Sequence, residues 1–377
     1  MNKYLILIAT FLIISCAKKN DKQESILTLD VDTLTCKPYL ASDIFSLDKI
    51  TILETTPKSV MARVQQIELY NNNYYIGDVI RQQIYIFNLK GQLIKRFNRQ
   101  GKGYGEYLTI TDFIVDPINK SLEILDMNTR KIFIYDIETF KFLNSYNIPF
   151  LFAHFFAKKG NYYYFQTFRN ENKINNKSTR SDVIAFNYKT GEVTALFNPP
   201  IEKDNRWYEF SPIFNIDSEH NVNFSFIWDK FIYQSVDNKA KKICEIKAPK
   251  SGINEHIIHA SYNEKLDYMK SDDFKNKRCF FRLIFKNKNY MIFSFNNQNK
   301  ANHIIVNDKK IVGVDIINDF NQIKGVEFYL IKQLNDKLLA IILPEKIDQN
   351  SSVAKKLNIS EYSNPIFLIL KPKENEI

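Results

Sequence analysis

The chain has 377 residues, a formal net charge of +10 and an aromatic content of 14 %, a composition suited to half-buried strands. The charge comes without a compact basic motif, which argues against a nucleic-acid module. The four cysteines show no CxxC spacing, which leaves no zinc or redox motif and no cofactor signature.

Met1-Asn2-Lys3 is a short positive start, and Tyr4 to Ile14 is an apolar run of eleven residues. Such a run is too short to span a bilayer permanently and fits the h-region of a signal peptide. It ends in Ile13-Ile14-Ser15-Cys16, which resembles the lipobox of bacterial lipoproteins. The resemblance implies cleavage after Ser15 and lipidation of Cys16, hence a membrane-anchored, exported protein. Residues 1–15 are therefore read as a signal peptide, 16–45 as the lipidated cysteine and a tether, and 46–373 as the folded domain. Ala17 to Glu24 is polar and charged, as a tether requires. Lys3 is the one charged residue in 1–15, so the mature chain carries +9. That sign suits an acidic partner such as an anionic polysaccharide or lipid headgroups, although lysines scattered over turns also serve solubility alone.

Lys49–Glu54 is the first strand expected in the domain. Four further strands follow, at Met61–Tyr70, Asn73–Val79, Gln83–Asn88 and Leu93–Asn98. The last two form a hairpin around Leu89-Lys90-Gly91-Gln92. The same hairpin signal returns around Ile137–Phe140 and Tyr188–Glu192, and more weakly around Asp237–Lys239. Phe87, Tyr135, Phe186 and Gln234 occupy equivalent places at spacings of 48, 51 and 48 residues. A period near fifty with four strands per unit is the mark of a β-propeller. Blades 1 to 5 read as four strands each, the fifth running from Cys279 to Ile316. Blade 6 supplies only Val326–Leu334, Lys337–Leu343 and Pro365–Lys371, so Lys49–Glu54 is expected to complete it from the N-terminal side. The expectation is an all-β fold: a six-bladed β-propeller of four-stranded antiparallel blades with a ring-closing N-terminal strand.

Strands alternate in direction across a blade, here called a to d from inside to outside. The a–b and c–d turns thus share one face, and every expected turn there is short. The b–c turns and the crossings to the next blade share the other. That face collects the long insertions 99–108, 169–181, 199–211, 250–278 and 344–364, of which the last two look partly helical. Long loops on a rigid scaffold are where binding residues concentrate.

The crossing Arg99-Gln100-Gly101-Lys102-Gly103-Tyr104-Gly105-Glu106-Tyr107 resembles the G-K-G-P-G-E-[YF] crossing of six-bladed β-propeller lipoproteins common in Bacteroides-type bacteria, relatives in fold of NHL and TolB-like propellers. Thr111–Asp116 and Leu53–Thr56 match as well, while Tyr104 stands where that family usually has proline. The resemblance implies a ring fold, export and a lipid anchor, and names no biochemical role.

The candidate ligand-binding residues all sit on the loop-rich face. They are Arg99, Lys102, Tyr104 and Glu106 on the first crossing, Arg169 on the b–c connection of blade 3, and Arg206, Trp207 and Tyr208 on the crossing after blade 3. Arginines suit carboxylate or sulfate groups, and exposed aromatics stack on sugars. His256 and His259 have helical metal-ligand spacing but lack a third ligand, so no metal site is assigned. No nucleophile–base constellation is visible, and no catalytic residue is assigned. The expected function is a lipid-anchored envelope propeller binding a saccharide ligand or an envelope protein at this face. The alternative is a glycan-active lyase or hydrolase working at the channel mouth.

Overall fold

A computed structural model of the chain describes residues 26–197, 212–298, 300–308 and 310–373. Residues 1–15, expected to be a signal peptide, and Cys16, Arg206, Trp207 and Tyr208 lie outside the described residues.

Six four-stranded antiparallel units follow one another around a ring. Blade 1 consists of Val64–Tyr70, Asn73–Asp78, Gln83–Asn88 and Leu93–Phe97, and blade 2 of Asp112–Asp116, Ser121–Asp126, Lys131–Asp136 and Phe142–Asn147. Blade 3 is built from Phe155–Lys159, Tyr162–Gln166, Val183–Asn187 and Val193–Leu196, and blade 4 from Phe214–Ile216, Val222–Ser225, Phe231–Val236 and Lys239–Lys247. Arg278–Lys286, Tyr290–Asn297, Lys300–Asn307 and Ile311–Ile317 make blade 5. Blade 6 takes Tyr329–Leu334, Lys337–Ile342 and Ile366–Pro372 from the C-terminal end and Phe45–Ile52 from the N-terminal end. In that last pair Ile366 lies opposite Ile52 and Pro372 opposite Phe45. The expected ring closure is therefore present.

Each blade is apolar on both faces, so each gap between neighbours buries its own core. Six clusters fill the six gaps. Ile84, Ile86, Phe113 and Tyr135 pack between blades 1 and 2, and Leu125, Ile132, Phe156 and Tyr163 between blades 2 and 3. Tyr164, Ala185, Val222 and Phe224 fill the next gap, and Ile232, Cys244, Phe293 and Phe295 the one after it. Phe285, Ile292, Leu338 and Leu368 join blades 5 and 6, and Tyr74, Tyr85, Leu339 and Phe367 seal blade 6 to blade 1. A side chain deleted from any one gap loosens two blades at once, at about 2–5 kcal/mol for a large-to-small change.

The stretch expected to be tether up to residue 45 is ordered from Leu27 onward. Leu27–Asp30 pairs in parallel with the outer strand of blade 4, Leu27 opposite Cys244. Cys36–Leu40 pairs in parallel with the outer strand of blade 5, Cys36 opposite Gly313. The chain thus steps along the outside of blades 4, 5 and 6 in turn, covering two sheet edges before it closes the third. A covered edge cannot template pairing with another chain. All six blades and both added strands lie between Leu27 and Pro372, so the fold is closed within that stretch. Cys36, Cys244 and Cys279 are free thiols, the last two buried. Burial pushes Cys244 up to about 12 and Cys279 up to about 11, so both stay protonated packing groups.

The inner strands leave an unpaired backbone edge toward the central channel, and side chains of neighbouring blades satisfy it. Asp112 accepts from Phe156 N at 3.0 Å. Asn215 donates to Ile284 O at 2.9 Å. Gln333 both accepts from Lys286 N at 2.8 Å and donates to Lys286 O at 2.9 Å. These links cross from blade to blade and fix their stagger.

Candidate functional site

Two groups of polar side chains lie on opposite faces of the ring. The first lies toward the short-turn face. Lys158 bridges Asp116 at 2.7 Å and Glu123 at 2.6 Å, and Tyr163 donates to Glu123 at 2.7 Å. Lys286 holds Asp217 at 2.9 Å, and Lys332 holds Glu68 at 2.7 Å. Burial alone would raise Asp116, but the Lys158 ammonium and the Asn119 N–H hold its carboxyl below the usual range. Glu123 goes the other way, because burial outweighs Lys158. Every cation here already faces a carboxylate. This group stitches blades together.

The second group lies on the loop-rich face, where the long connections take shape. The b–c connection of blade 3 folds into a small hairpin, Asn172–Ile174 with Lys177–Thr179. The crossing from blade 4 to blade 5 carries three short helices, Glu255–Ile258, Tyr262–Met269 and Asp272–Lys275. The b–c connection of blade 6 holds a helical turn at Pro344–Lys346 and a helix at Ser352–Leu357. The partial helicity expected for both long insertions is present.

A cavity of about 520 Å³ opens on this face, lined by Phe152, Ala153, His154, Thr167, Phe168, Asn170 and Tyr262. Three pieces of chain converge to make it: the crossing into blade 3, the start of its b–c connection, and the first turn of the helix Tyr262–Met269. A capping box fixes that helix, with Ser261 Oγ accepting from Glu264 N and Glu264 Oε2 accepting from Ser261 N at 2.8 Å. The b–c connection bends through two consecutive residues with positive φ, Phe168 at 53° and Arg169 at 58°. This folds Arg169 back onto Asp182, to which it donates from Nε at 2.8 Å and Nη2 at 3.1 Å. Thr167 N also donates to Asp182 O at 3.0 Å. His154 stands edge-on to Phe155 at 4.6 Å and tilted to Phe168 at 5.2 Å. Burial, then the Arg63 charge, holds its imidazole below the ordinary histidine value.

Beside this pocket, one turn along from Tyr262, lies Lys265. It is 1 % exposed, and its ammonium stands 5.2 Å from the centre of the Trp228 ring. Burial and then Arg169 push it down to about 8, with Asp182 pulling the other way. Asp182 itself is raised by burial against the pull of Arg169. Tyr233 donates to Asp229 at 2.9 Å on the same face.

The glycine-rich crossing proves to be a self-closed turn. Gly101 N donates to Tyr107 O at 2.9 Å, and Gly103 N donates to Glu106 Oε2 at 2.8 Å. Gly105 has φ +70°, and a Cβ there would meet Phe142 Cγ at 2.5 Å. Tyr107 is buried, and Tyr135 donates to Gly105 O at 2.9 Å. Tyr104 is 94 % exposed, resting edge-on against Phe142 at 5.1 Å. Arg99 and Lys102 are exposed as well, whereas the Glu106 carboxylate is engaged within the turn. Tyr104 therefore extends outward without disturbing the turn, although proline is the usual residue there. The structure does not gather these residues with Arg169, which lies beyond blade 2. Sequence reasoning passed over His154, Phe168, Tyr262 and Lys265. Nothing in the sequence distinguishes Lys265 from Lys270 or Lys275 on neighbouring turns. His256 and His259 sit on and just after a four-residue helix, and no group of three potential metal ligands occurs among the described residues.

Residues 26–371 match the family described as a domain of unknown function, DUF4934. No curated protein matches the chain. Two solved Bacteroides structures share its fold. A candidate exported protein of Bacteroides fragilis is 16 % identical, with a TM-score of 0.70 over 93 % of this chain and 100 % of that one. A member of the DUF4221 family from Bacteroides vulgatus is 12 % identical, with a TM-score of 0.54 over 88 % of this chain and 98 % of that one. At these identities the likeness shows the fold alone.

Proposed function

We propose that this chain, which belongs to the family of the domain of unknown function DUF4934, is a lipid-anchored cell-envelope propeller that binds a ligand or protein partner through its loop-rich face. The observation that carries the reading is the aromatic-lined cavity on that face. A rigid ring of six blades holds it, and every piece of its wall comes from a connection rather than a blade core. Concave, mainly apolar sites with a few placed polar groups are the usual form of a small-ligand or side-chain pocket.

Binding is favoured over catalysis by the lining itself. Two phenylalanines, an alanine and a tyrosine dominate, and the lining residues include one histidine and no carboxylate or lysine. Asp182, behind the lining, has both oxygens engaged by Arg169. The lining thus offers no acid and base facing a common point, as glycan cleavage demands. A fold of this kind hosts both activities, so the site and not the fold carries the decision.

The test is a crosslinking pull-down from envelope extract with residues 26–377, run beside an array of acidic and neutral glycans. A partner or saccharide retained by the wild type and lost with Phe152→Ala or Tyr262→Ala supports the reading. Retention unaffected by either substitution, or turnover of a bound glycan, refutes it. Anchoring is tested separately. Cys16→Ser should release the protein from the membrane fraction, and a variant that stays there would remove the lipid anchor from the proposal.

A further inference from the structure

The pocket's polar surroundings say what kind of ligand suits it. Lys265 is 1 % exposed, so its stem does not carry the ammonium out to bulk water. Its ammonium makes no hydrogen bond or salt bridge with any described residue, and its one close partner is the face of Trp228 at 5.2 Å. The two nearby carboxylates are engaged elsewhere. Asp182 receives a two-pronged contact from Arg169, and Asp229 receives Tyr233 on one oxygen and Phe231 N on the other. A buried ammonium with unfilled donor positions is costly unless something accepts from it. The partly buried Lys158, Lys286 and Lys332 each reach a carboxylate within 2.9 Å. Lys265 is the departure, and it lies next to the cavity.

The connection between the two is short. Tyr262 lines the cavity, and Lys265 is three residues on, on the same side of the same helix. Arg169, which brings a second cation toward Lys265, sits between the lining residues Phe168 and Asn170. The apolar hollow thus lies one helical turn from Lys265, which stands behind its lining residues.

Resting on the reading that this face is the binding face, we propose that the pocket takes an amphipathic anion. Its apolar body lies against Phe152, Phe168 and Tyr262, and its anionic head, a carboxylate, sulfate or phosphate, is held by Lys265 with Arg169 beside it.

Paired fluorescent probes test this on residues 26–377. One is 1-anilinonaphthalene-8-sulfonate and the other N-phenyl-1-naphthylamine, which has the same aromatic body without the sulfonate. The sulfonate is expected to bind about tenfold or more tighter than the neutral probe, the value of one charge-assisted hydrogen bond. Lys265→Met should erase that preference while leaving the neutral probe's affinity unchanged, and Lys265→Arg should restore most of it. A thermal melt of each variant checks that the fold survives. Displacement of the sulfonate by octanoate or by octyl phosphate identifies the preferred head group, and displacement by neither counts against the proposal. Equal affinity for both probes in the wild type overturns the anion site without recourse to any variant. In that case binding of the neutral probe that is lost with Phe152→Ala would leave the pocket standing. Binding of neither probe would overturn the small-ligand pocket as well.

Discussion

Asp112 opens the inner strand of blade 2 and is 2 % exposed. One oxygen accepts from Phe156 N at 3.0 Å, and the other makes no hydrogen bond. Burial pushes its carboxyl up to about 8 from 3.8, opposed by the Phe156 and Phe113 N–H groups and by Lys332, with Glu68 adding to the rise. The sign follows directly. Between pH 3.8 and 8 the unfolded chain has released this proton and the folded chain keeps it, so stability falls as pH rises. One proton corresponds to about 1.4 kcal/mol per pH unit, which gives about 4 kcal/mol between pH 5 and 8. Asp112→Asn mimics the protonated acid and cannot titrate. Its advantage over wild type should grow by about 4 kcal/mol between pH 5 and pH 8. Urea unfolding of both proteins at each pH unit measures the difference, in which every other titrating group cancels. A difference that stays constant within about 0.5 kcal/mol from pH 5 to 8 would refute the reasoning, because it would mean Asp112 is charged in the folded ring.

His303, on the third strand of blade 5, gives the opposite slope. It is 8 % exposed with no partner on Nδ1, and burial pushes it down to about 4 from 6.5. Its contribution to stability is present above pH 6.5 and lost as pH falls toward 4, so His303→Gln should melt closer to its neutral-pH temperature at pH 4.5 than the wild type does. Lys158→Met strands Glu123 and Asp116 without their cation and should cost about 3–5 kcal/mol in a urea titration; a loss below about 1 kcal/mol would show that the carboxylates find other partners. Gly91 has φ +83°, and a Cβ there would stand 1.9 Å from Ile52 O, so Gly91→Ala should lower stability by about 2 kcal/mol or more by prising the blade 1 hairpin off the ring-closing strand, read as a shift in denaturant midpoint.

The repeat was readable because each blade's third and fourth strands meet at a turn with a local chemical signature. Asn88 Oδ1, for instance, accepts from Lys90 N and Gln92 N around the positive-φ Gly91. The strand of Phe45–Ile52 was readable because blade 6 lacked a partner. Leu27–Asp30 and Cys36–Leu40 had no comparable mark. Both are short, one contains Pro38, and parallel pairing at an outer edge involves no turn. The buried charges were hidden for a different reason. Glu123 and Lys158 sit in strands whose polar positions look like solvent-facing alternation, and only the stacking of blades turns those positions inward. The pocket was located by face but not by residue, since His154, Phe168 and Tyr262 come from three connections that meet only in the folded ring.

Phe45–Ile52 and Ile366–Pro372 are neighbours in space and far apart in order of synthesis. During synthesis the first of them emerges more than 300 residues before the second. Until then the gap between blades 6 and 1 stands open, and Tyr74, Leu339 and the ring-closing strand wait for Phe367. Most native contacts in a blade are local, but this one carries the loop-closure entropy of nearly the whole polypeptide and is slow to form for that reason. A message truncated just before Ile366 would yield every blade but the last in full, together with a sticky, unpaired edge on each side of one seam. The seven-residue strand Ile366–Pro372 therefore separates a closed ring from an aggregation-prone one.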